Sequence, residues 1–68
     1  MEKDWVMVFS SANNYTVNLY KTILDSEEIP NVIINHQDSF YKIGALELYV
    51  NRDDAMRATQ ILNQDKNE

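Results

Sequence analysis

The chain has 68 residues, a net charge of −5 at pH 7, no cysteine and a single histidine, His36. One domain is all this length allows, and its stability margin is thin, because so short a chain buries only about 60% of its unfolded surface. Disulfides and thiolate metal sites are excluded, the absence of 18 consecutive apolar residues argues against a membrane span, and an acidic chain with scattered cations is a poor match to nucleic acid or anionic membranes.

The chain start, Met1-Glu2-Lys3-Asp4, lacks the cationic stretch and apolar core of a signal peptide, so a cytoplasmic location is expected. The apolar run Trp5-Val6-Met7-Val8-Phe9 predicts a first strand over residues 4–10. Simple alternation puts Trp5, Met7 and Phe9 on one face and Val6 and Val8 on the other, and a strand apolar on both faces is usually covered on both. Ser10, Ser11, Asn13 and Asn14 then supply turn and cap chemistry.

Residues 16–28 read as a helix. Tyr15, Leu19 and Ile23 recur at four-residue spacing, and Val17, Tyr20 and Leu24 widen the apolar stripe. Asn13 or Asn14 caps its start, and Ile29-Pro30 marks its end, since proline disfavours helix at the preceding residue. The β-branched segment 31–35 predicts a second strand. Residues 36–42 are polar apart from Phe40 and Tyr41 and suit a connecting loop. Gly44, the only glycine, is placed for a positive φ or a bulge ahead of a third strand over 45–50.

In that third strand Leu46, Leu48 and Val50 share one face, and Ala45, Glu47 and Tyr49 the other. Asp53 is the expected N-cap of a second helix, with Asp54 at the positive end of its dipole and Ala55, Ala58, Ile61 and Leu62 along its buried stripe. The domain is expected to occupy residues 1–62, followed by a polar C-terminal tail at 63–68.

The order β-α-β-β-α predicts an α+β, ferredoxin-like half-sandwich. A crossover through the first helix sets strands one and two parallel, and strand three fills the gap between them, giving sheet order 1-3-2 with both helices on one face. One sheet face and the strand-one edge are then left open. An apolar open face marks an interface, and a homodimer through that face or edge is expected. Trp5, Met7, Phe9, Tyr49 and the loop aromatics Phe40 and Tyr41 are the candidate interface residues, since aromatic side chains dominate binding hot spots.

Several motifs together resemble a known family: Val8-Phe9-Ser10, Ile23-Leu24, Glu27-Glu28-Ile29-Pro30, Leu48-Tyr49-Val50, and Asp53-Asp54-Ala55 followed by Ala58. Across about residues 5–62 the chain resembles a small bacterial domain of unknown function described as a putative prokaryotic signal-transducing protein. That resemblance implies a ferredoxin-like α+β fold and carries no catalytic residues to transfer. Where the family commonly has glycine before the isoleucine that leads into strand two, this chain has Glu28.

Chemistry-bearing residues are sparse. His36, Asp38 and Ser39 contain the residue types of a nucleophilic triad, but near-neighbours in one loop rarely converge with the base between the other two, so a solvated loop is the better reading. His36 with Asp38 lacks further metal ligands, and capping accounts for Asp53 and Asp54 without a cation beside Glu47. No catalytic, metal or cofactor-binding residues are therefore assigned. The expected function is a non-enzymatic interaction or signal-transducing module using its sheet face and the 36–42 loop. A regulatory sensor of small-molecule effectors is the alternative, and the protein partner or effector is not specified by the sequence.

Overall fold

The computed structural model describes residues 4–36 and 44–66. Five elements follow in the expected order: β1 (Trp5–Ser11), α1 (Asn14–Ser26), β2 (Asn31–Asn35), β3 (Leu46–Asn51) and α2 (Ala55–Lys66), with a 3-10 turn (Arg52–Asp54) leading into α2. The sheet order is β1-β3-β2, and β3 runs antiparallel to both neighbours. This is the predicted α+β, ferredoxin-like half-sandwich.

One core joins the two layers. Leu46, Leu48 and Val50 of β3 meet Val17, Tyr20 and Leu24 of α1, Ile29 of the following turn, and Ala58 and Leu62 of α2. Both helices therefore cover the same sheet face. The Cα envelope is only 15 Å in its shortest direction. That is room for one sheet and one helix layer, given a face-to-face spacing of about 10 Å.

The strict alternation expected for β1 fails at Val8. Met7 pairs with Tyr49, but Phe9 pairs with Leu48, so one extra residue is inserted in β1 at this point. A bulge of this kind shifts the phase of every side chain beyond it. Cross-strand partners share a face, so Trp5 and Met7 lie on the open side with Tyr49, whereas Phe9 turns to the helix side with Leu48. There its ring packs edge-on against Tyr20, at a centroid distance of 4.5 Å. Val6 and Val8 pack against the same core. The grouping of Trp5, Met7 and Phe9 on one face is corrected accordingly.

Helix α1 starts two residues before the expected Thr16. Asn13 is its cap and accepts the Thr16 N–H at 3.3 Å. The buried stripe is Val17, Tyr20 and Leu24, with Ile23 partly buried, while Tyr15 and Leu19 point to solvent at 75% and 40% exposure. A helix lying on a flat sheet buries one narrow stripe, so of the two apolar rows only one is used.

The end of α1 shows why Glu28 tolerates a position that suits glycine. Glu28 has φ 61°. Its N–H donates to the Asp25 carbonyl and the Ile29 N–H donates to the Leu24 carbonyl, both at 3.0 Å. These two bonds define a Schellman cap, and the accompanying apolar contact is between Leu24 and Ile29, which are almost fully buried. Arg57 of α2 donates from Nη2 to the Glu27 carbonyl at 2.9 Å, tying the second helix to this end of the first.

Asn31 anchors the start of β2 beneath α1. Its Nδ2 donates to Asp25 Oδ1 at 2.8 Å and to the Ile29 carbonyl at 2.9 Å. Lys21 Nζ bridges Asp25 Oδ2 at 3.2 Å and Asn31 Oδ1 at 3.3 Å. These bonds, led by that from Asn31 and followed by that from Lys21, hold the Asp25 carboxyl below the usual aspartate value.

Gly44 has φ 106°, as its place ahead of the third strand predicts. The second helix starts differently from expectation. Asn51, at the end of β3, accepts the Asp53 N–H at 3.1 Å and caps the 3-10 turn, so Asp53 lies within that turn and is not its cap. Both residues are good cap formers, and an extra 3-10 turn moves the cap two residues upstream. At its other end α2 continues through Lys66 and does not give way to a tail at residue 63.

Candidate open-face interaction site

The sheet register determines what the uncovered face presents. Trp5 lies beside Asn51. The next row across the sheet is Met7, Tyr49 and Val32. The row after that is Ser10, Glu47 and Ile34. Last comes Ala45 beside His36, whose N–H donates to the Ala45 carbonyl at 3.1 Å. The face therefore has an apolar end (Trp5, Met7, Tyr49, Val32) and a mixed end (Ser10, Glu47, Ile34, His36). Met7 is 50% exposed and Val32 37%, while Trp5, Ile34 and Tyr49 are half-buried.

The mixed end carries a small polar constellation. Tyr49 donates its hydroxyl to Glu47 Oε1 at 2.8 Å. His36 Nε2 lies 3.3 Å from the same oxygen. A hydrogen bond to Glu47 holds the phenol proton and raises the Tyr49 pKa above its ordinary value; desolvation and the negative charge of Glu47 add in the same direction. The carboxylate is thus satisfied by groups of its own sheet face and needs no outside cation to sit among apolar neighbours.

Of the predicted interface residues, Trp5, Met7 and Tyr49 converge on this face. Phe9 does not, because the bulge sends it to the core. Phe40 and Tyr41 lie outside the described residues, as do Asp38 and Ser39 of the triad-like loop. The residues of strand two alone leave open whether Ile33 or the pair Val32 and Ile34 faces outward; the register with β3 selects Val32 and Ile34, and it also brings His36 up to Glu47. The signal for the last was positional: once β2 and β3 pair antiparallel, His36 follows Ile34 by two and falls on the Glu47 face. Among the described residues no group of three or more His, Cys, Asp or Glu could hold a metal ion. No described helix is long and apolar enough to cross a membrane.

The fold and this face define a class: a minimal two-layer α+β module with one sheet face uncovered. The chain belongs to the family described as "putative prokaryotic signal transducing protein", whose model matches residues 5–65. Neither the curated proteins nor the solved structures gave a match.

Proposed function

We propose that this domain is a non-enzymatic, cytoplasmic interaction module of bacterial signal transduction, and that it works through its open sheet face. The observation that carries this reading is the apolar end of that face, where Met7 and Val32 stand exposed beside Trp5 and Tyr49. Exposed apolar side chains scattered singly need no explanation, but a contiguous group on one flat face marks a binding surface. The family description supports a role in signalling. His36 supports a structural role over a catalytic one, since its Nε2 is directed at a carboxylate that already accepts from Tyr49.

The test compares two exposed apolar positions on opposite sides of the molecule. A photo-crosslinking residue is placed at Val32 on the open face, or at Tyr15 on the outer side of α1, in the full chain expressed in bacteria. Specific adducts from position 32 and none from position 15 are expected. Equal labelling from both positions, or none from position 32, contradicts the proposal.

A further inference from the structure

No further inference is drawn: the strongest candidate, the apolar end of the open sheet face where Trp5, Met7, Val32 and Tyr49 meet, carries nothing beyond the interaction surface already proposed, because nothing in the structure shows what covers it.

Discussion

On the central strand two adjacent residues meet different worlds. Leu48 is fully buried between the helices and the sheet, while Tyr49, the next residue, faces outward and spends its hydroxyl on Glu47. The same division runs through β2, where Ile33 packs against the core and Val32 is exposed. In β1 the division is redrawn midway, because the bulge hands Phe9 to the covered face and leaves Trp5 and Met7 on the other. The covered face holds the stability of this small domain. The open face holds side chains that lie outside that core, and that difference separates core residues from candidates for function.

The largest expected effect lies on the covered face. Leu48→Ala removes a fully buried side chain and should cost about 2–5 kcal/mol. A domain of this size has roughly 3–10 kcal/mol to lose, so the urea midpoint of this variant should fall steeply, and at the low end of that range the domain should unfold without denaturant. Met7→Ala on the open face should cost less than about 1 kcal/mol in the same titration. Equal losses at the two positions would erase the distinction between the faces.

A gain is expected at the end of α1. Glu28 holds a left-handed backbone conformation that costs a non-glycine residue roughly 1 kcal/mol. Glu28→Gly should therefore stabilise the domain by up to about 1 kcal/mol, partly offset by the greater freedom of glycine in the unfolded chain. A destabilised variant would show that the Glu28 side chain contributes more than its backbone strain costs.

Two titrations probe smaller terms, one on each side of the sheet. Asp25 has a folded pKa below its ordinary 3.8, so its contribution is present above that value and is lost as pH falls through the folded pKa. The carboxylate is half-exposed, which keeps the effect small. Asn31→Ala should shift the Asp25 titration, followed by carboxyl NMR, upward toward the ordinary value. Tyr49 moves the other way. Its folded pKa lies above 10.0, so its contribution is present below that pH and is lost as pH rises through the folded value. Glu47→Gln should bring its ionisation, read by ultraviolet absorbance, back down toward 10.0.

Much of the topology was legible in the chain. Leu46, Leu48 and Val50 alternate with Glu47 and Tyr49, which fixes β3 and the polarity of its two faces. Pro30 and Gly44 punctuate the chain where α1 has ended and β3 is about to begin. What was not legible has a common cause: two solutions with equally good local chemistry. Trp5-Val6-Met7-Val8-Phe9 is apolar throughout, so an inserted residue changes the face of Phe9 without leaving a mark in the pattern. Tyr15-Leu19 and Val17-Tyr20-Leu24 are both apolar rows, and only the sheet chooses between them. Asn51 and Asp53 are both cap formers, and the 3-10 turn decides in favour of Asn51. At the site, Tyr49 and Glu47 could be placed on one face from their spacing, but the approach of His36 depends on the β2–β3 register.

The bulge sorts β1 between the two faces of the sheet, and solvent accessibility measured side chain by side chain tests that sorting most directly. With a neutral gadolinium chelate added to the dilute protein, NMR relaxation should be strongly enhanced at the Met7 methyl and at the Val32 methyls, and weakly at the Phe9 ring. A Phe9 ring enhanced as strongly as Met7, or a protected Met7 methyl, would contradict it.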